Sequence, residues 1–186
     1  MHLLTNKPFH SSRLTFRPTR DSDAPLLSEY IRKDDGEMIS WFGMDDLREN
    51  KMPNIEKAKK LIGIYKRNSN HKKQMLHVFK KHTQDIIGVA NIWTDAQRNK
   101  RVALYLTPES RRKGLGAEAQ ILIFKEICRK DPKITMHVAQ IEDPTNKASI
   151  KMFCSIGFKI AGMRRFALPI SGNYDKAITL YRPTFK

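Results

Sequence analysis

Between Leu104 and Ala119 the chain reads LYLTPESRRKGLGAEA, an order of residues that few folds accommodate. A strand-forming run ends at Pro108. Three cations follow at Arg111, Arg112 and Lys113, glycines stand at 114 and 116, and a helix-forming run begins. Glycine lets the main chain turn sharply and lets a ligand come close to it. The first N–H groups of a helix lack acceptors within the helix and carry the positive end of its dipole, so a helix opening on such a turn offers an anion site. Three cations beside it suit a pyrophosphate. The plainer alternative is a strand-to-helix connection whose charges are simply solvated.

Gly114-x-Gly116-x-x-Ala119 also fits the dinucleotide fingerprint, with Glu142 or Asp143 as the acid after the next strand. That fingerprint belongs on the first strand of a parallel sheet, whereas here at least three strands precede it. Its glycine backbone also works without an Arg-Arg-Lys cluster. The dinucleotide reading is therefore set aside.

The rest of the chain supplies the strands and helices. Arg13 to Arg17 alternates and predicts a first strand, Asp21, Ser22 and Asp23 offer caps for a helix reaching Lys33, and Asn54 is the expected cap of a second helix. Met75 to Lys81 and Ile86 to Thr94 form a hairpin, and Arg101 to Leu106 is a third run. A helix over 117–130, a strand over 134–141, a helix over 146–156 and strands over 159–166 and 177–182 complete the pattern. This order predicts a mixed α/β fold: a mostly antiparallel central sheet of about seven strands with helices on both faces.

Composition limits the setting. The 186 residues include 35 Lys and Arg against 19 Asp and Glu, a formal charge of +16. Such a field attracts polyanions and repels small polycations at long range. The excess is concentrated between Lys51 and His82, which hold ten Lys and Arg and one acid, Glu56. That segment is the expected contact for an acidic partner or a nucleic acid, the alternative being a solvated basic face. Apolar runs such as Ile86 to Ala90 fall far short of a membrane span, the N-terminal residues lack a secretory pattern, and the two cysteines, Cys128 and Cys154, read as free thiols. A cytoplasmic protein without a membrane partner is expected, as a monomer or homodimer.

Two blocks carry a family resemblance. Arg111-x-x-Gly114-x-Gly116 resembles the Arg/Gln-x-x-Gly-x-Gly/Ala signature of the GNAT superfamily of N-acetyltransferases. Asn146-x-x-Ser149 through Gly157-Phe158 resembles the helix and strand that follow it in that superfamily. The start, Arg13-Leu-Thr-Phe-Arg17-Pro18 with Asp21 and Asp23-Ala24, is similar to the ribosomal-protein acetyltransferase branch. The ending, Gly172-Asn-Tyr174-Asp175 with Leu180-Tyr181, resembles both that branch and the spermidine acetyltransferases.

The resemblance implies one N-acetyltransferase domain over 1–186, with a motif core at about 86–166, and acetyl-CoA as cosubstrate without a metal. Its pyrophosphate would meet the main chain across Arg111, Arg112, Lys113, Gly114, Leu115, Gly116 and Ala117. The pantetheine arm would pair with Leu104, Tyr105 and Leu106, and Asn146, Ser149 and Phe153 would complete the cofactor site. The N–H of Leu106 would polarise the thioester carbonyl, and Trp41 and Phe42 would line the acceptor site. The implied reaction is direct transfer to a primary amine, best a protein N-terminus on an acidic or ribosome-associated macromolecule.

At two positions the chain departs from the family. The usual acid, a Tyr, is matched by Phe153, and the usual base, a Glu, by Arg101. Phe cannot give a proton and Arg will not accept one. Ser149, one helical turn before Phe153, is the substitute acid, and Glu142 the substitute base among the loop acids Glu37, Glu142, Asp143 and Asp175. His77 and His137 read as core or sheet-face histidines rather than bases, and Cys154 as a core residue. The alternatives are a catalytically weak acyl-CoA-binding module, an RNA-directed (aminoacyl-tRNA) acetyltransferase and a small-amine or polyamine acetyltransferase, the last disfavoured by the +16 charge.

Overall fold

The computed structural model describes residues 7–33, 38–39, 47–48, 51–67, 73–83, 85–94, 100–141, 144–167 and 174–183. In chain order they form β1 (Phe9–His10), β2 (Leu14–Pro18), α1 (Ala24–Lys33), α2 (Asn54–Arg67), β3 (Lys73–Lys80), β4 (Ile86–Thr94) and β5 (Lys100–Leu106). Then come α3 (Leu115–Lys130), β6 (Met136–Ile141), α4 (Lys147–Ser155), β7 (Lys159–Ala167) and β8 (Tyr174–Pro183). The strands pair in two ladders, β1-β2-β3-β4-β5 and β6-β8-β7, with every neighbour antiparallel. The expected mixed α/β layering holds. The sheet predicted with about seven strands is a five-stranded and a three-stranded ladder, the two-residue β1 being the extra strand.

Helices cover both faces of the larger sheet, so its inner strands are apolar on both sides. On one face Leu27, Tyr30 and Ile31 of α1 and Ala58, Leu61 and Ile62 of α2 pack on Met75, Val89 and Tyr105. On the other, Ile123, Phe124 and Ile127 of α3 and Phe153 of α4 pack on Leu14, Phe16, Leu76, Val78, Ala90 and Ile92, and this core continues to Phe158 and Leu180. Each such fully buried side chain contributes about 1.5–3 kcal/mol.

Polar groups fix how α1 sits on the sheet. Asp23 stands in the turn before α1, where it accepts from both terminal nitrogens of Arg17 at 2.7 Å and from the main-chain N–H of Arg20 at 2.7 Å. The fully buried His77 places Nδ1 at 3.4 Å from the same carboxylate. Burial opposes ionisation of Asp23, but these hydrogen bonds and the His77 and Arg17 partners outweigh it and hold the carboxyl well below the usual range.

Several boundaries differ from expectation, among them β3, which begins at Lys73, and β6, which begins at Met136 rather than 134. Asn54 is the first residue of α2 rather than its cap, since the Pro53 carbonyl accepts from the N–H groups of Glu56 and Lys57. Helix α3 begins at Leu115, two residues earlier than predicted, because Gly114 serves as its cap. Strand β8 starts at Tyr174 rather than at 177, its ladder with β7 reaching the Ala167–Tyr174 pair.

At one position the sheet leaves no room for a side chain. Gly88 lies opposite Leu106, and a Cβ there would stand 2.3 Å from the Tyr105 carbonyl oxygen. Backbone would have to move, so Gly88→Ala is expected to lower stability by about 2–3 kcal/mol in denaturant unfolding.

His137 makes stability depend on pH. It is 1% exposed on β6, with its Nε2 3.1 Å from Cys128 Sγ and its ring stacked obliquely on Phe124. Burial, and then the charge of Arg182, push its pKa down from 6.5 to about 4. The unfolded chain takes up this proton first, so stability is unaffected above about pH 6.5 and falls as pH drops from there toward 4. Between pH 7.5 and pH 5 the loss is about 2 kcal/mol. Urea unfolding at the two pH values should show it, and His137→Gln should flatten the difference.

Candidate functional site

Strands β5 and β6 are outer strands of different ladders that lie side by side without pairing. The register of β5 on β4 decides what the seam between them offers. Thr107 N–H donates to the Ile87 carbonyl, so 107 and 87 form a hydrogen-bonded pair. In an antiparallel ladder such pairs alternate with pairs whose main-chain groups point outward. With Leu106 opposite Gly88 and Leu104 opposite Ala90, the N–H and C=O of Leu104 and Leu106 turn away from β4 toward the seam. Those of Tyr105 turn inward to Val89, and its ring packs edge-on to Tyr30 on the α1 and α2 face. The outward-facing groups can pair with an extended amide-bearing ligand as a further strand would.

The basic turn closes one end of this edge. Arg111 folds back on the strand: its Nε donates to the Leu106 carbonyl at 2.9 Å and its guanidinium lies 5.1 Å from the Tyr105 ring centre. This accounts for the outward carbonyl of Leu106 and leaves its N–H toward the seam. Thr107 and Ser110 hydroxyls bond at 2.8 Å and shape the turn. Arg112, at φ 60°, and Gly114, at φ 74°, take left-handed conformations, and the second is one that glycine adopts without strain. Gly114 caps α3 without a side chain of its own, so no cap oxygen accepts from the helix's first N–H groups. With Arg112 and Lys113 exposed beside them, these groups can receive an anion.

A contact that the sequence did not reveal holds the turn. Glu118, in the first turn of α3, accepts at Oε1 from Ser11 Oγ, from Ser12 Oγ at 3.1 Å and from Arg13 N–H at 3.1 Å, and at Oε2 from Arg13 Nε at 2.6 Å. Arg13 Nη1 donates to the Lys113 carbonyl at 3.0 Å.

The second motif forms α4. Asn146 caps it, its Oδ1 accepting from Ser149 N–H at 3.0 Å, which leaves the half-buried Ser149 hydroxyl one turn before Phe153. Phe153 is 7% exposed and sits edge-on to Phe158, 5.1 Å between centres. Cys154, expected in the core, is exposed: Phe153 takes the inward position, and one residue further turns the side chain about 100° toward solvent. His77 and His137 are buried, as expected for core histidines. Arg101 is half-buried on β5, opposite Trp93 and on the face it shares with Tyr105. Trp41, Phe42, Glu37, Glu142 and Asp143 lie outside the described residues, as does the side chain of Asp175. Among the described residues no group of three His, Cys, Asp or Glu could hold a metal ion.

A family model for the acetyltransferase (GNAT) domain matches residues 13–159, which contain the turn, the seam and α4. The chain belongs to the GNAT acetyltransferases. Its acyl donor is accordingly acetyl-CoA.

Solved structures agree in fold. A ribosomal-protein-S5-alanine acetyltransferase from Vibrio fischeri superposes with a TM-score of 0.68 at 20% identity over 96% of this chain and 97% of that one. RimL, a ribosomal L7/L12 alpha-N-protein acetyltransferase in complex with coenzyme A, gives 0.72 at 16% identity over 96% and 98%. The microcin C7 self-immunity acetyltransferase MccE, in complex with acetyl-CoA and AMP, gives 0.70 at 18% over 93% of each chain. No curated protein sequence matches.

A side chain at 114 would both strain the left-handed cap and enter the space before the helix. Gly114→Glu adds a carboxylate where the dipole favours an anionic ligand. It should weaken acetyl-CoA binding by about tenfold or more in calorimetric titration.

Proposed function

We propose that this GNAT enzyme moves an acetyl group from acetyl-CoA to a primary amine borne on a macromolecule, best a protein N-terminus, by direct transfer with both substrates bound. The observation that carries this reading is that the outward-facing edge of β5 at Leu106 meets the start of α3, which Gly114 caps with no side chain of its own.

Acetyl-CoA supplies an acetyl group activated as a thioester. In this reading the main chain from Arg111 to Ala117 holds the pyrophosphate, Leu104 pairs with the pantetheine arm, and Asn146 and Ser149 meet the arm from α4. Phe153, buried against Phe158, supplies an apolar floor. Leu106 N–H donates toward the thioester carbonyl oxygen, where negative charge develops, an effect worth about 3 kcal/mol. Glu142 accepts the proton the ammonium must lose before its nitrogen attacks, and the Ser149 hydroxyl, directly or through water, passes its proton to the departing sulfur and takes up the second proton released by that nitrogen. Trp41 and Phe42 line the approach of the acceptor.

The acceptor's character is supported by charge. On α2, Lys59, Lys60 and Lys66 are exposed; Lys59 pairs with Glu56 at 2.8 Å, and Lys66 with Asp21. An acidic or ribosome-associated acceptor complements this face. A second reading, aminoacyl-tRNA as acceptor, draws on the same lysines. Tyr65, the aromatic of α2, is half-buried and takes the Asn91 amide on its hydroxyl, so the helix offers phosphates charge but no stacking surface.

The test is to incubate the protein with acetyl-CoA and, separately, acidic N-terminal peptides, ribosomes, aminoacyl-tRNA and polyamines, and to follow gain of one acetyl group by mass spectrometry. Acetylation of peptides or ribosomal protein is expected. Acetyl-CoA binding without any acetylated acceptor would overturn the transfer reading in favour of a binding module. Reversing Lys59, Lys60 and Lys66 to Glu should raise KM for a macromolecular acceptor by about tenfold at low salt, less at high salt, and leave acetyl-CoA affinity unchanged.

A further inference from the structure

The turn that opens α3 contains two obstacles to a fixed shape on either side of Lys113: a non-glycine residue at φ 60°, Arg112, and a glycine cap, Gly114, with no side chain to anchor it. Left alone, such a segment samples many conformations, and a ligand would have to order it. One guanidinium spans the turn instead. Arg13 donates through Nη1 to the Lys113 carbonyl, just before Gly114, and through Nε to Oε2 of Glu118, in the first turn of the helix that follows it. The remaining Glu118 oxygen gathers the Ser11 and Ser12 hydroxyls and the Arg13 N–H.

The segment carrying Arg13 is fixed in turn. Arg13 C=O accepts from Lys81 N–H at 2.9 Å, and Leu14 N–H donates to Ser11 Oγ at 2.9 Å. An unbroken chain of bonds therefore runs from the end of β3, through Arg13, to both sides of the glycine turn. Glu118 enters it as a carboxylate: burial opposes ionisation, but the bonds from Ser11, Arg13 and Ser12 outweigh it and hold its pKa below the usual range.

We infer that Arg13 and Glu118 are positioning residues for acetyl-CoA, clamping the Lys113–Glu118 turn so that the first N–H groups of α3 are already aimed when the coenzyme's phosphates arrive. This rests on the reading that the turn holds the pyrophosphate. A lysine at 13 would keep the charge but lacks the planar fork that reaches two acceptors at once. The clamp acts on the phosphates alone, which separates it from a general contribution to folding.

The experiment compares acetyl-CoA, titrated calorimetrically, with S-acetyl-pantetheine, titrated by NMR, which carries the thioester arm but no phosphate. Arg13→Gln should weaken acetyl-CoA about tenfold and leave S-acetyl-pantetheine within about twofold. Arg13→Lys should fail to restore the loss. Glu118→Gln, which keeps one oxygen acceptor, should lose affinity severalfold with the same selectivity, and it carries the test if Arg13→Gln does not fold. Unchanged acetyl-CoA affinity in these variants, equal losses on both ligands, or full recovery in Arg13→Lys would each overturn the clamp. Wild-type protein that binds neither ligand would overturn the coenzyme reading, and the clamp with it.

Discussion

The pairing of Thr107 with Ile87 sets which main-chain groups of β5 turn outward, and the rest of the site is arranged around that choice. Had β5 slipped by one residue on β4, Tyr105 would present its amide to the seam, and the side chains of Leu104 and Leu106 would exchange faces with it. The register is held from both sides. Tyr105 and Val89 belong to the core under α1 and α2, whereas Leu106 and Ala90 belong to the core under α3 and α4. Gly88 adds a steric lock, because the close approach of β4 to Tyr105 and Leu106 has no space for a larger residue. The geometry of an edge without a partner strand thus follows from the packing of two cores on either side of it.

The charged groups divide into those that build and those that remain available. Asp23 is committed to Arg17, the Arg20 N–H and His77, and Glu118 to Ser11, Ser12 and Arg13. Arg111, the first cation of the turn, is committed to the Leu106 carbonyl and the Tyr105 ring. What the turn holds out to a ligand is therefore main-chain N–H, with Arg112 and Lys113 at its margin. Fixed dipoles of this kind need no reorganisation when a charge arrives, which a flexible lysine would require.

Much of this was legible in the residues. The alternation of β2, the β-rich runs of β3, β4 and β5 and the helical spacing of α1 are strong signals, and the helix expected over 146–156 forms as α4, with Asn146 as its cap rather than its first residue. The parting of the sheet between β5 and β6 was not, because a strand's own sequence does not state which neighbour it lacks. Cys154 was assigned to the core from its angle to Phe153, but that angle is relative. Which of two adjacent apolar residues faces inward is decided by Phe158 across the turn. Glu118 was invisible for another reason: an acid in the first turn of a helix is commonplace, so nothing marked it as the acceptor of four donors. Trp41, Phe42 and Glu142 lie outside the described residues.

The Arg13–Glu118 contact joins residues 105 positions apart. A ribosome adding roughly 5–20 residues each second would release the N-terminal strand several seconds before the start of α3 could meet it. Through that interval Ser11 to Arg13 can dock on β3, whose end supplies the Lys81 N–H, but the glycine turn has no second anchor. The ligand-facing turn is thus among the later parts of the molecule to take shape during synthesis. A nascent chain that stops short of residue 118 would hold all five strands of the larger sheet and none of the fixed anion site.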